Sequence, residues 1–169
     1  LKISDTITIV RRRNPLQLMD SVVDQLEQGL LDSFEHQAFR PLGLATGRTM
    51  EPFYAALVSR LRAWPTDRLQ LLRERWRSFN LDEYVGLAPE HPSSFSAFMG
   101  HHLVRPLGLN PAQVVLPDGA AANPQVAADR FAAEIRSAGG IGSQLLGLGS
   151  NGHVGFNEPP CGPDVRCRV

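Results

Sequence analysis

The chain reads as an α/β domain with a mostly parallel sheet and helices on both faces. Strand-like runs alternate with helix-like runs long enough to serve as crossovers. Asparagine–proline pairs stand where helix-like runs begin, the pattern of an N-cap followed by proline at the first helical position. Size agrees: 169 residues bury roughly 70% of their unfolded surface, enough for one core and a single domain over 1–169.

In chain order, residues 6–10 are β-branched and alternating, which predicts a first strand. Asn14 and Pro15 then open a helix whose Leu16, Met19, Val23, Leu26 and Leu30 recur every three or four positions. Residues 40–45 form a strand that runs into Thr46, Gly47, Arg48 and Thr49. The next helix carries Pro52 in its first turn, where a missing N–H does no harm, and Phe53, Leu57 and Leu61 line one face. Residues 76–81 predict a strand ending at Asp82. Ser93 or Ser94 caps a helix with Phe95, Phe98, Met99 and Leu103 inward. Residues 113–116 are a short strand, and Asn123 and Pro124 open a helix with Val126, Ala127, Phe131 and Ile135. Residues 143–148 are the last strand and lead into a glycine-rich loop. Such βαβ units give a Rossmann-like sheet. The chain stops soon after that loop, with nothing further to cover the sheet edge, so the domain reads as incomplete at its C-terminus.

Composition narrows the function. Seventeen Lys and Arg balance seventeen Asp and Glu, and a neutral chain is a poor nucleic-acid or anionic-membrane binder. No apolar run approaches the ~20 residues of a membrane span. Cys161 and Cys167 form neither a disulfide framework nor a metal-ligand set, and a reducing cytoplasm is the default. Lys2 is the only lysine. The arginines at 11–13 and at 68, 73, 75 and 77 read as a solvated face with local ion pairs in preference to an anion-binding patch.

In an open parallel sheet, ligands bind beyond the carboxyl ends of the strands. Three strand-to-helix junctions carry polar residues there. The first, Thr46–Thr49, has Gly47 for a tight turn and Thr49 to cap a helix whose N–H groups favour an anion; an ordinary capped turn is the alternative. The second supplies Asp82 and Glu83. Successive side chains of an extended chain point opposite ways, so only one faces the cleft, where partial desolvation would make it a general base; surface or capping acids are the alternative. The third sets Asn151, His153 and Glu158 in one loop, where a carboxylate can hold an imidazole in one tautomer; a structural histidine is the alternative. His101 and His102 are helix neighbours and cannot both face one site. There is no Gly-x-Ser-x-Gly elbow, and a metal site from His153, Glu158 and Asp82 lacks a second placed histidine.

At these junctions the sequence resembles the glucosamine-6-phosphate deaminase (isomerase) family. The carrying stretches are Leu42-Gly-Leu-Ala-Thr-Gly-Arg-Thr49, Ser78-Phe-Asn-Leu-Asp-Glu-Tyr-Val-Gly-Leu87 with Glu90-His-Pro-Ser93, and Leu146-Gly-Leu-Gly-Ser-Asn-Gly-His-Val-Gly-Phe-Asn-Glu-Pro159. The related 6-phosphogluconolactonases share the first loop and a Gly-His element, without the Phe-Asn-Glu-Pro continuation. The resemblance implies conversion of glucosamine 6-phosphate to fructose 6-phosphate and ammonia without a cofactor. It implies His153 as the ring-opening acid/base, Asp82 as the base that moves the C2 proton to C1, and Glu158 as the group that orients and charge-balances His153. Thr46, Gly47, Arg48 and Thr49 would cradle the phosphate, with Asp82 and Glu83 lying over the sugar. The only partner implied is a small sugar phosphate, with no nucleic acid and no membrane; the family includes hexamers and smaller forms, so a homo-oligomer fits. Two departures stand out: Asn151, where many members carry aspartate, and Arg48, where a small residue is usual. A lactonase-like hydrolase and a non-catalytic phosphosugar-binding remnant are the competing readings.

Overall fold

The computed structural model describes residues 8–155, 157–162 and 167. Four parallel strands form one sheet: β1 (Leu42–Leu44), β2 (Ser78–Asn80), β3 (Val114–Val115) and β4 (Ser143–Gln144), in the order β3-β2-β1-β4. The α-helices are α1 (Pro15–Glu35), α2 (Glu51–Arg62), α3 (Thr66–Arg75), α4 (Phe95–Met99), α5 (Arg105–Leu107) and α6 (Pro124–Ser137). A π-type turn, Gly100–Val104, joins α4 to α5. This is the doubly wound α/β arrangement expected. The chain steps outward from β1 through β2 to β3, then returns past β1 to β4. Right-handed crossovers running in opposite directions put their helices on opposite faces.

Register shows how the faces are filled. Leu42 pairs with Ser78 and Leu44 with Asn80, while Gly43 pairs with Phe79 and also with Gln144. Leu42 and Leu44 therefore share one face, and they belong to a core with Val23 and Leu30 of α1, Phe53, Leu57 and Leu61 of α2, and Leu69 and Leu72 of α3. Phe79 points the other way, its ring 5.8 Å from that of Phe131 on α6. Burying a large apolar side chain contributes roughly 1.5–3 kcal/mol, so these two clusters orient the sheet.

Helix starts follow the local chemistry. The Asn14 side chain accepts from Gln17 N at 2.9 Å, Ser94 from Ala97 N at 2.9 Å and Asn123 from Val126 N at 3.2 Å. Each cap is worth about 1 kcal/mol. An ion-pair cluster then ties α1 to α2: Arg60 meets Asp24 and, at 3.3 Å, Glu27, which also accepts the Trp64 indole N–H at 2.7 Å.

Several expectations change. Of the strand expected over 6–10, residues 6 and 7 lie outside the described residues, and 8–10 are exposed and carry no strand. The strand expected over 143–148 is only Ser143–Gln144. The ladder ends where Leu145 N donates to Gly43 O at 2.8 Å, and Leu146 and Leu148 are exposed. Leu16, expected in the buried stripe of α1, is 74% exposed, because it precedes the part of the helix that overlies α2. Arg68, Arg73 and Arg75 lie on a helix, α3, and Arg77 follows it. These cations find partners from distant parts of the chain: Arg73 donates to Leu107 O at 2.6 Å, Arg75 lies over the Phe39 ring, and Arg77 pairs with Glu134. No described helix is long and apolar enough to cross a membrane.

Candidate active site

Strands β1 and β4 are neighbours and the strand order reverses between them, which is where an open α/β sheet leaves a crevice. The loops after β1 and β4 flank it, and the loop after β2 lies beside them. Because the strands are parallel, all three junctions singled out from sequence leave the sheet at the same edge.

The loop after β1 turns at Gly47, whose φ of +107° is a conformation that L side chains rarely adopt. Met50 N donates to Gly47 O at 2.8 Å and closes the 3₁₀ turn Arg48–Met50, which feeds into α2. Thr49, expected to cap a helix, lies inside that turn, and no side chain caps it or α2. Glu51 N–H donates to Arg48 O and Pro52 has none, so the N–H groups open to an anion are those of the turn that precedes α2. Thr46 is part-buried, and Arg48 and Thr49 are exposed.

The second junction extends the ladder by one bond, Leu81 N to Leu44 O at 3.1 Å. Asp82 follows, half-buried, and its carboxyl is pushed up from 3.8 to about 6. Desolvation is the larger cause, and the neighbouring Glu83 charge adds to it. Glu83 turns away: Tyr84 N and Phe95 N donate to its Oε1 at 2.9 Å each, and Ser96 N donates to its Oε2 at 2.8 Å. Both oxygens expected to lie over a sugar are taken up by main chain.

The third junction is a self-contained network. His153 Nδ1 lies 2.7 Å from Asn151 Oδ1, which also accepts the His153 backbone N–H at 3.2 Å. The Asn151 amide donates through Nδ2 to Glu158 Oε2, and Glu158 Oε1 is 3.3 Å from His153 Nδ1. Nδ1 thus faces two acceptors, Asn151 Oδ1 and Glu158 Oε1, an arrangement that suits a hydrogen on Nδ1. The ring lies across Gly149, where a Cβ would stand 2.3 Å from His153 Cε1. The loop reaches the second junction at Gly155, whose Cβ position is 3.8 Å from Leu81 Cδ2, next to Asp82.

A half-buried carboxyl, an imidazole bonded through Nδ1 and a turn closed at Gly47 thus lie at one sheet edge. The family described as glucosamine-6-phosphate isomerases/6-phosphogluconolactonase matches residues 13–155. The chain belongs to this family. It is 44% identical over 128 residues to a glucosamine-6-phosphate deaminase of Shewanella loihica, covering 76% of this chain and 46% of that one. It is 44% identical over 130 residues to glucosamine-6-phosphate deaminase 2 of Bacillus subtilis, covering 76% and 49%. The chain thus spans about half the length of the curated relatives it matches. Among solved structures, a monomeric glucosamine-6-phosphate deaminase superposes with a TM-score of 0.70 at 29% identity, over 88% of this chain and 58% of that one. A 6-phosphogluconolactonase from Trypanosoma cruzi gives 0.70 at 22% identity, over 90% and 62%, a likeness of fold alone.

Within the described residues of this family member, no group of three or more His, Cys, Asp or Glu is placed to hold a metal ion. Two surface grooves of about 410 and 380 Å³ lie along α6 and between α1 and β4, and neither is lined by Asp82 or His153. The candidate site comprises the three loops at the sheet edge. Sequence reasoning missed Tyr54, whose hydroxyl donates to Ala45 O at 2.6 Å and anchors the start of the first loop from α2. A tyrosine inside the apolar stripe of α2 was the available signal.

Proposed function

We propose that the chain acts on glucosamine 6-phosphate as an aldose–ketose isomerase that also releases the amine, giving fructose 6-phosphate and ammonia. The observation that carries this reading is Asp82: a carboxyl with raised proton affinity, at the same sheet edge as an imidazole whose Nδ1 is already committed.

In this reading the phosphate sits at the turn of Thr46, Gly47, Arg48 and Thr49, against the N–H groups of that turn. His153 Nε2 takes the proton of the C1 hydroxyl and delivers one to the ring oxygen, opening the pyranose. Asn151 holds the ring, and Glu158 offsets its positive charge while the proton is in transit. Asp82, ionised above about pH 6, then takes the C2 proton and returns it to C1. The carbon–nitrogen bond at C2 becomes an imine, which water hydrolyses to the ketone and ammonia. These are proton transfers beside a carbonyl, so well-placed acids and bases suffice without a cofactor. The bound phosphate supplies binding energy remote from the reacting carbons.

The test is ammonia and fructose 6-phosphate formation from glucosamine 6-phosphate by the chain, by D82N and by H153Q, with 6-phosphogluconolactone as the competing substrate. Each variant is expected to lose at least about 100-fold in kcat. Preference for the lactone, phosphosugar binding without turnover, or intact turnover in both variants would overturn the reading.

A further inference from the structure

Glu83 lies between two pieces of main chain. One carboxylate oxygen accepts from Tyr84 and from Phe95, and the other accepts from Ser96. Phe95 and Ser96 open α4, and the next N–H in that turn, Ala97, goes to the Ser94 hydroxyl at 2.9 Å. The first turn of α4 is thus satisfied jointly by Ser94 at its own cap and by Glu83 arriving from β2. A third segment closes around the same side chain: Gly86 N donates to Gly119 O at 2.7 Å, and a Cβ on Gly119 would stand 2.9 Å from Glu83 Cγ and 2.3 Å from Tyr84 O. The start of α4 and the Gly119 segment thus both pack on the Glu83 side chain, directly beside Asp82.

We propose that Glu83 is a positioning residue that clamps the Asp82 segment to the start of α4 and holds a fixed negative charge next to the base. The proposal rests on the reading of Asp82 as the base. Removing the clamp frees the residues that follow Asp82 from α4, and the carboxyl then samples positions away from the reacting carbons, which costs rate more than binding. Removing the charge eases ionisation of Asp82. Glu83 is the charged side chain whose field acts on that carboxyl. Arg48 on the loop after β1, and His153 and Glu158 on the loop after β4, share the edge and are unchanged in the variants below.

The experiment is a carboxyl-carbon NMR titration of Asp82 in the free chain, in E83Q and in E83A, with amide hydrogen exchange at Phe95 and Ser96. E83Q is nearly isosteric and keeps one acceptor oxygen. It is expected to lower the Asp82 midpoint by about half to one pH unit and to speed exchange at Ser96 by about tenfold. E83A is expected to do both and to expose Phe95 as well. In turnover, kcat is expected to fall about 10- to 100-fold in E83A, with KM changed less than about twofold and partial recovery in E83Q. An unmoved midpoint together with unchanged exchange in both variants overturns the proposal. So does a raised KM at intact kcat, which is the signature of a sugar contact. Absence of turnover in the parent chain counts against the deaminase reading alone, because the titration and exchange still decide for or against the clamp.

Discussion

The raised proton affinity of Asp82 has a consequence for stability that does not depend on any substrate. In the unfolded chain this carboxyl releases its proton near pH 3.8, and in the folded protein it holds it to about 6. Between those values the folded state binds more protons, so its stability falls as pH rises from about 4 to about 6 and is level above that. The full difference corresponds to about 3 kcal/mol. Asp82 is only half-buried, so solvent screening trims this to about 1–2 kcal/mol. Asp82→Asn keeps the shape and removes the titration. Urea denaturation of both proteins from pH 4 to 8 is the assay. They should be about equally stable near pH 4, and the asparagine variant should be more stable by about 1–2 kcal/mol at pH 8, or roughly 2–8 °C in Tm. A gap that stays constant across that range, or an aspartate form that is the more stable at pH 8, would refute the reasoning. The same titration requires turnover to rise with pH through about 6.

Two glycines give further tests. Gly119→Ala drives a Cβ to 2.3 Å from the Tyr84 carbonyl oxygen; because that neighbour is backbone, denaturation should show a loss of about 1–3 kcal/mol. Gly149→Ala places a methyl within 2.6 Å of three atoms of the His153 ring. The ring must leave its place over the loop, so kcat should fall at least about tenfold while the urea midpoint moves little. Unchanged kcat would separate the imidazole from the chemistry.

Local features of this chain were legible because their causes are local. Asn14, Ser94 and Asn123 cap helices through N–H groups three residues away, and Asn151, His153 and Glu158 meet within eight residues of chain. The tight turn at Gly47 follows from the same short-range chemistry, whereas the cap expected from Thr49 does not form. Helix α3 was not legible, because Leu69 and Leu72 are the only buried residues in a stretch dominated by charge, and a charge run looks like surface until a core covers its two leucines. Strand lengths were overestimated at β4, since a strand extends only as far as a neighbour pairs with it.

Alternation along residues 80–83 requires Asp82 and Glu83 to face different ways, but nothing in the chain order says which of the two turns to the crevice. That choice came from α4, whose unpaired N–H groups arrive from twelve residues away and draw Glu83 to themselves, leaving Asp82 at the edge. Residue types and short-range spacing determined the α/β class, the helix starts and the list of groups able to move protons, because propensity and capping act over a few residues. Which of those groups share one crevice, and how strongly Asp82 holds its proton, was decided by the order β3-β2-β1-β4 and by burial, since both depend on neighbours that only folding brings together.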